Sequence, residues 1–366
     1  MTSPTSPSSY RLGVDIGGTF TDVTLLDEAT GEIRVEKVPT TPRDPSRGFS
    51  EAVEQILAEN AVASGDVRYI VHATTVATNA IIEGTVARTG FVTTDGFQDL
   101  LEIGRQARPA NAIYDVLFEK PRPLVPRQLC FGARERLDAR GQVIVPLDAS
   151  QVEDLAQQLR REGVESVAVC LLHAYANPEH ERRVGAILRK ILPDVPISLS
   201  AEVAPEFREY FRASTTVINA GIRPVVARYL REVEERLQNA GLTAELLIMQ
   251  SNGGVYTAAA ASTRPIFMVE SGPAAGVIAA SYLGNALDYR NVISFDMGGT
   301  TAKVALIQDG QPRVTKEYEV GASARAGISG QSGSGYPIRT PVIDLIEIGA
   351  GGGSIAWVDS GGALRV

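Results

Sequence analysis

Two short segments of the sequence carry the residue types of an anion-binding hairpin. DIGGT at residues 15–19 and DMGGT at residues 296–300 each end one β-rich run and begin another. Adjacent glycines permit a tight turn, remove Cβ atoms and let backbone N–H groups converge on an anion. Threonine hydroxyls add donors at the same place. We therefore predict two phosphate cradles, with these candidate contacts: Gly17, Gly18, Thr19, Thr21, Gly298, Gly299, Thr300, Thr301 and Lys303.

The flanking residues repeat as well, because LGVDIGGTFTDVTLLD from Leu12 aligns with ISFDMGGTTAKVALIQ from Ile293. A single motif of this kind fits an ordinary hairpin turn as well as it fits a phosphate-binding hairpin. An internal repeat at this separation instead predicts two related domains that face each other. Lys303 alternates with Thr301 along the second run, so it either faces the phosphates or is a solvated strand lysine.

Each repeat places an aspartate at the end of an apolar strand. An ionised carboxylate there is expensive to desolvate unless a cation compensates it. Mg²⁺ bound to phosphate oxygens supplies that compensation, since it takes one or two carboxylates together with phosphates. Asp15 and Asp296 are thus the predicted catalytic residues and Mg²⁺ ligands, and the predicted ligand is a magnesium nucleotide held between two domains.

The sequence lacks the motifs of a P-loop, of a dinucleotide-binding fold and of a zinc site. The chain has no GxxxxGK[ST], and GAGGGS at residues 349–354 precedes a β-rich run, whereas a dinucleotide fingerprint needs a helix there. That loop is either a backbone approach to a ligand or a tight β-turn. The histidines form no HExxH; we interpret His72 and His173 as core residues at strand ends and His180 as solvated.

Composition limits the class of protein. The 366 residues favour two domains, and 35 basic against 43 acidic side chains give a net charge of −8, which excludes nucleic acid or an anionic membrane as main partner. The two cysteines, Cys130 and Cys170, are expected to be buried free thiols. No apolar run reaches the ~20 residues of a membrane span, and the N-terminus lacks a signal sequence. A cytoplasmic location is predicted.

The pattern of elements predicts an α/β fold. A three-stranded antiparallel meander from Arg11 to Lys37 is followed by alternating helices and strands, and a long helix is expected from about Arg212 to Ala240. We predict a disordered tail at 1–9, a first domain at 10–199 and a second at 200–366.

The ordered motifs resemble one known family. VDIGGTFTDV, VHATTVATNAIIEG, GFVTTDGFQDLLEIGRQ, LLHAYANPEHE, QSNGG, ESGPAAG, DMGGTTAKV and IRTPVIDLIEIGAGGGSIAWVD are together similar to the hydantoinase A and 5-oxoprolinase family, within the actin, Hsp70 and sugar-kinase superfamily. The resemblance covers nearly the whole chain. It implies two actin-like, ribonuclease H-like ATPase domains, the second incomplete because family sequences continue beyond the GAGGGS block.

That resemblance also implies an activity. Family members open a cyclic amide, of the hydantoin or 5-oxoproline type, by ATP-dependent phosphorylation of the amide oxygen, together with a hydantoinase B-type partner subunit. It places Thr74, Thr75 and Asn79 beside the substrate. Two alternatives stay open: the ATP-using subunit of an acetone or ketone carboxylase, and a non-catalytic fragment or assembly subunit.

Overall fold

The computed structural model describes residues 9–41, 44–105, 108, 113–119, 122–299, 301–321 and 335–366. Most of the predicted tail at 1–9 therefore lies outside the described residues. None of the helices in these ranges is long and apolar enough to cross a membrane. The α-helices are α1 (Pro45–Glu59), α2 (Val76–Ile82), α3 (Leu100–Ile103), α4 (Ala149–Arg161), α5 (Glu179–Ile191), α6 (Ser200–Val203), α7 (Glu209–Asn239), α8 (Ala258–Thr263) and α9 (Ser271–Ala286).

The strands follow the predicted alternation with the helices. They are β1 (Tyr10–Ile16), β2 (Phe20–Asp27), β3 (Ile33–Pro39), β4 (Val67–Thr74), β5 (Thr89–Thr94), β6 (Cys130–Ala133), β7 (Arg136–Leu137), β8 (Val143–Val145), β9 (Ser166–Cys170), β10 (Ile197–Leu199), β11 (Glu245–Met249), β12 (Val255–Thr257), β13 (Val292–Met297), β14 (Ala302–Gln308), β15 (Gln311–Pro312), β16 (Val314–Thr315), β17 (Tyr318–Val320), β18 (Tyr336–Ile338), β19 (Val342–Ile343), β20 (Leu345–Ile348), β21 (Trp357–Val358) and β22 (Leu364–Arg365).

The first sheet has the strand order β12-β11-β4-β1-β2-β3. β1, β2 and β3 form the predicted antiparallel meander, while β4 is parallel to β1 and β11 is parallel to β4. Alternate residues of β1, such as Leu12 and Val14, are buried in the core. Strict alternation of this kind defines a strand with one face on a core. β1 therefore lies in the middle of the sheet, where both edges are paired.

A second sheet, with the order β10-β9-β5-β6, is wholly parallel. Every residue of β5 and β9 is buried, as expected for parallel strands covered on both faces. α4 and α5 belong to its core, which holds Leu155, Leu159 and Leu188. Both cysteines lie here as buried free thiols, which confirms that prediction.

The predicted long helix is confirmed as α7, which contributes to two cores. Ala213 and Val217, near its start, belong to the core of the parallel sheet, whereas Leu230 and Val233 belong to the core of the first sheet. β11 and β12, which follow α7, pair back into the first sheet. Sheet pairing thus crosses the predicted domain boundary near residue 200, and the division of the chain there stays a prediction.

The third sheet repeats the meander of the first, with β13 antiparallel to β14 and β14 antiparallel to both β15 and β20. One of its faces packs on α9 through Ala274, Val277, Ala305 and Ile307. The internal repeat of the sequence is therefore a repeat of structure, as predicted.

The histidine predictions have different outcomes. His72 is fully buried, with Nδ1 donating to the carbonyl of Val14 at 3.1 Å and Nε2 2.7 Å from the Tyr229 hydroxyl, as expected of a core residue. His173 is half-buried with a positive φ of 57° and lies outside any strand, so its placement at a strand end was wrong. The prediction for His180 was also wrong, because this residue is buried and its Nδ1 lies 2.7 Å from Glu135.

The buried side chain of His72 is expected to make the folded chain less stable in acid. Burial lowers its pKa from 6.5 to about 4. Below pH 6.5 the histidine is protonated in the unfolded chain, whereas in the folded chain it stays neutral down to about pH 4. The contribution of His72 to the free energy of unfolding is therefore complete above pH 6.5 and is lost as the pH falls. Between pH 8 and pH 5 the loss is about 2 kcal/mol. We expect His72→Gln to remove that slope in urea unfolding curves, while Tyr229→Phe keeps it; equal slopes in His72→Gln and wild type would contradict the assignment.

Candidate active site

Asp15 is an unsatisfied carboxylate at the centre of the first sheet. It pairs in register with Asp22 on β2 and Ala73 on β4. Its Oδ1 atom is buried and has no hydrogen-bond partner among the described residues. Burial, reinforced by the charges of Asp22 and Asp296, raises the pKa of Asp15 from 3.8 to about 6. A buried oxygen of this kind is where a cation would be most strongly stabilised.

The start of α9 lies directly against this carboxylate. A Cβ atom built on Gly272 would stand 3.0 Å from Asp15 Oδ1. Ser271 fixes the helix start, since its hydroxyl donates to the carbonyl of Thr74 and accepts from the Thr74 amide, each at 3.2–3.3 Å. The motif ESGPAAG entered the sequence analysis only as part of the family resemblance, and its contact with Asp15 was not predicted.

The first hairpin has the glycine turn that was predicted. The Gly17 amide donates to the Phe20 carbonyl at 3.0 Å, and Thr40 donates its hydroxyl to the Gly17 carbonyl at 2.9 Å. Gly18 is exposed, and no described heavy atom lies within 4 Å of a Cβ built there. Thr19 is exposed at the same tip.

Thr21 is a correction to the predicted phosphate contacts. It is fully buried, and its hydroxyl lies 3.2 Å from that of Thr40 instead of at the tip. The reason is the period of the strand, which places Thr21 on the same face as the buried Val23 and Leu25. We leave it out of the proposed site.

The second hairpin reproduces the first turn. The Gly298 amide donates to the Thr301 carbonyl at 3.0 Å, matching the bond of Gly17 to Phe20. Asp296 and Gly299 are exposed, and Thr301 is half-buried. Thr300 lies outside the described residues.

The GAGGGS loop packs on this second hairpin. The amides of Gly352 and Gly353 donate to the carbonyls of Gly298 and Gly299, both at 2.9 Å. A Cβ atom on Gly351 would stand 2.6 Å from the Gly298 carbonyl oxygen, a distance that no side chain tolerates without a shift. The sequence left open a ligand loop or a β-turn; the structure shows a backbone clamp on the hairpin.

Lys303 is neither solvated nor unpaired. Its Nζ lies 2.5 Å from Glu270 Oε2, and the side chains are 17 % and 5 % exposed. Burial works to lower the pKa of Lys303, but the charges of Glu270, Glu347 and Asp296 outweigh it and raise the pKa. Glu270 itself has left-handed backbone (φ 64°) and precedes α9. The ion pair therefore ties the second hairpin to the helix that touches Asp15.

This ion pair should stabilise the chain strongly. Removing one partner of a buried pair leaves the other charge uncompensated, at about 3 kcal/mol or more. We expect Glu270→Gln to lower the free energy of unfolding by roughly that amount and the double variant Glu270→Gln/Lys303→Met to regain at least half, as measured by urea denaturation.

The exposed pair Arg47–Glu51, whose side chains are 61 % and 53 % exposed, is the matched control. Its double-mutant cycle should give a much smaller coupling energy, because both charges remain in contact with water. A coupling energy for Glu270 and Lys303 no larger than this control would refute the stabilising role.

The residues assigned to the substrate lie at the same edge of the sheet. The Thr75 amide donates to the carbonyl of Ile16, the residue after Asp15, at 3.3 Å. Asn79 is exposed and donates to the Thr75 hydroxyl at 3.2 Å. Thr74 is fully buried, and its amide donates to the Ser271 hydroxyl at the start of α9. It therefore positions α9 and is not accessible to a substrate.

The donor set suits a magnesium nucleotide better than a metal held by protein alone. The described residues contain no group of three or more histidine, cysteine or carboxylate side chains that could bind a metal. Mg²⁺ needs only one or two carboxylates when phosphates and water complete its shell. The unsatisfied Oδ1 of Asp15, with the charge of Asp296 close enough to raise its pKa, fits that requirement.

Comparison with known proteins identifies the family of the chain. Residues 11–192 match the family profile "Hydantoinase/oxoprolinase N-terminal region", and residues 212–366 match "Hydantoinase/oxoprolinase". An uncharacterised protein of Methanocaldococcus jannaschii is 44 % identical over 98 % of this chain and 52 % of its own length. The caprolactamase subunit alpha of Pseudomonas jessenii is 34 % identical over 99 % of this chain and 50 % of its own length.

Two solved structures share the fold. The ATP-dependent caprolactamase of Pseudomonas jessenii superposes with a TM-score of 0.84 at 33 % identity, covering 96 % of this chain and 49 % of that chain. Nucleotide-free acetone carboxylase gives 0.82 at 27 % identity, covering 98 % and 50 %. This chain thus spans about half the length of these relatives and has the predicted α/β fold of actin-like ATPase type. By sequence and by structure, it belongs to the hydantoinase/oxoprolinase family.

Proposed function

We propose that this chain binds Mg-ATP between its two glycine hairpins and uses it to activate a cyclic amide of the hydantoin or 5-oxoproline type. The observation that carries the proposal is the unsatisfied buried oxygen of Asp15, which lies against the start of α9 and within electrostatic reach of Asp296. Family membership supports ATP use, since relatives include ATP-dependent caprolactamase and acetone carboxylase.

The residues divide between metal and phosphate. Asp15 and Asp296 would hold Mg²⁺, which neutralises charge on the phosphates when bound. Backbone amides and hydroxyls at the two tips would donate to phosphate oxygens, as in other backbone nests. The proposed donors are Gly18, Thr19, Gly299, Thr300 and Thr301, while Gly17 and Gly298, whose amides are bonded within the hairpins, would shape the two turns.

The reaction balances without a redox partner. The amide oxygen of the substrate attacks the γ-phosphorus, the bond from phosphorus to the ADP oxygen breaks, and the amide becomes an O-phosphorylated imidate. Water then adds at that carbon, the ring C–N bond breaks as the nitrogen takes up a proton, and a second water hydrolyses the resulting acyl phosphate to a carboxylate and inorganic phosphate. Phosphorylation turns a poor electrophile into one with a good leaving group. Thr75 and Asn79, at the same sheet edge as Asp15, are the proposed contacts on the substrate side.

Ketone carboxylation is the second candidate. It is supported by the acetone carboxylase structure and by the 33 % identity to the acetophenone carboxylase gamma subunit of Aromatoleum aromaticum. The same hairpins would then activate bicarbonate or an enolate.

Several relatives are named as subunits, so the proposal includes a second polypeptide of the hydantoinase B type that completes hydrolysis. A cytoplasmic location belongs to the same proposal.

The test has two stages. Calorimetry of the purified chain with Mg-ATP first asks whether nucleotide binds, and absence of binding would favour the non-catalytic alternative. ADP release by the chain with its partner is then measured with hydantoin, 5-oxoproline, caprolactam, and acetone plus bicarbonate. Stimulation by a cyclic amide supports the proposal, whereas stimulation by acetone and bicarbonate alone supports the carboxylase.

A further inference from the structure

Three charged side chains form a row across the face of the third sheet that packs on α9. Asp296 on β13 lies in register with Lys303 on β14, and Lys303 lies in register with Glu347 on β20. Side chains of residues that lie directly opposite each other point to the same side of a sheet. Neighbouring strands are about 4.8 Å apart, so Glu347 stands roughly 10 Å from Asp296, two strands away. The row therefore leads from a proposed metal ligand to a second carboxylate.

Contacts at the start of α9 connect this row to the substrate side of the site. Lys303 pairs with Glu270 at 2.5 Å, and the Glu270 amide donates to the hydroxyl of Thr78 at 3.2 Å. Thr78 belongs to α2, the helix that carries the proposed substrate contacts, and β17 packs against the same helix. Burial and the charges of Glu270 and Glu347 raise the pKa of Tyr318 on β17. Glu347 thus lies on the side of the row that faces the substrate.

Glu347 is the carboxylate of this cluster that has no partner of its own. The Glu270 carboxylate is 5 % exposed and is engaged by Lys303. Glu347 is exposed, and among the residues that the structure describes its carboxylate forms no hydrogen bond and no direct ion pair. Partial burial raises its pKa; the charge of Lys303 lowers it and that of Glu270 raises it further. A raised pKa makes a carboxylate a better proton acceptor near neutral pH.

The activation of a cyclic amide needs a proton acceptor beside the phosphate. When the amide oxygen attacks the γ-phosphorus, positive charge stays on the O–C–N unit until the N–H proton leaves. In a cyclic amide the C=O and N–H bonds point out of the ring on the same side. A substrate whose oxygen faces the γ-phosphate therefore presents its N–H next to that phosphate, and the base must lie near the phosphate site without being part of it.

We infer that Glu347 is the general base and acid for the ring nitrogen of the substrate, an inference that rests on the proposed activation of a cyclic amide. As the oxygen–phosphorus bond forms and the bond from phosphorus to ADP breaks, the Glu347 carboxylate takes the N–H proton, and the electron pair of that bond forms the C=N bond of the imidate. When the ring C–N bond breaks, Glu347 returns the proton to the nitrogen.

The first test is Glu347→Gln in the chain assembled with its partner. The variant keeps the size of the side chain and an oxygen that can accept from the substrate N–H, but it cannot take the proton. We expect Mg-ATP to bind within about threefold of wild type by calorimetry. The kcat for ADP release stimulated by the cyclic amide should fall by about 100-fold or more, while KM for the amide changes by less than about fivefold.

A rescue experiment and a neighbouring carboxylate separate a catalytic role from a structural one. Formate added to Glu347→Ala should restore activity by about tenfold or more, because it can replace the missing base. Asp344 lies three residues earlier, and its carboxylate is paired with Arg313 at 3.3 Å. Asp344→Asn is the matched control and should keep kcat within about twofold of wild type.

The outcomes distinguish this inference from the proposed function. If the wild type responds to a cyclic amide, the role of Glu347 is overturned by near-normal kcat in Glu347→Gln, by an equal loss in Asp344→Asn, or by a loss in Glu347→Ala that formate does not relieve. If no cyclic amide stimulates the wild type, the proposed function fails and this inference fails with it.

Discussion

Replacing Asp15 by asparagine is expected to lower the affinity for Mg-ATP by about 100-fold or more. Removing a charged group from a buried ionic contact is worth about 3 kcal/mol, and 1.4 kcal/mol corresponds to a factor of ten. The measurement is titration calorimetry with Mg-ATP at pH 8. The amide keeps the size of the side chain, so any loss of binding reflects the missing charge.

Asp22 is the matched control. It lies opposite Asp15 in the sheet, but its carboxylate is exposed and paired with Lys37 at 2.8 Å. Asp22→Asn should change the affinity for Mg-ATP by less than about threefold. Near-normal binding by Asp15→Asn, or an equal loss in both variants, would remove Asp15 from the proposed site.

The same Asp15→Asn substitution should stabilise the metal-free chain. Because the pKa of Asp15 is raised to about 6, its ionisation opposes folding, and this penalty grows as the pH rises from 4 through 6. At pH 8 it amounts to about 3 kcal/mol, and it vanishes below pH 4. Urea unfolding in the presence of a chelator should therefore show an advantage of the variant that increases with pH. Such a pattern, with binding lost and stability gained, is typical of a functional carboxylate.

The second large effect is expected at Gly351. A methyl group there would stand 2.6 Å from the Gly298 carbonyl oxygen, so Gly351→Ala must displace either the clamp or the hairpin. We expect at least a tenfold loss of Mg-ATP affinity, since the displaced backbone carries the proposed phosphate donors. The loss should be seen in the calorimetric assay used for Asp15.

Gly352 offers a control one residue away. A Cβ atom there would lie at 3.7 Å from the same oxygen, an ordinary contact. Gly352→Ala should thus bind Mg-ATP within about twofold of wild type. Equal behaviour of the two variants would mean that the clamp does not shape the second hairpin.

Local patterns predicted the parts of the fold that depend on local geometry. Alternation along Leu12, Val14 and Ile16 gave β1, and paired glycines gave both hairpins. The same two-residue period places Thr21 on the buried face of β2, beside Val23. On α5, His180 lies four residues before the buried Val184, so the helical period places His180 in the core as well. The predictions for Thr21 and His180 were wrong because they relied on the polarity of the side chain more than on the period of the strand or helix.

Contacts between distant segments could not be read from the sequence. The clamp joins Gly352 to Gly298, and the ion pair joins Lys303 to Glu270, through packing that no periodicity encodes. Gly272 lies within the family motif ESGPAAG, but its need to be small depends on Asp15, which is far away in the chain. Tertiary contacts of this kind decide a site and leave only weak local signals.

The shared helix α7 determines how the chain can be dissected. Its 31 residues extend about 46 Å, and side chains at its two ends are built into separate hydrophobic interiors. A cleavage before α7 would separate the parallel sheet from one of the helices that pack on it and leave β11 without its neighbour β4. Fragments made by cleavage near residue 200 would each expose part of a hydrophobic core. Because α7 belongs to both cores, unfolding of one core should destabilise the other.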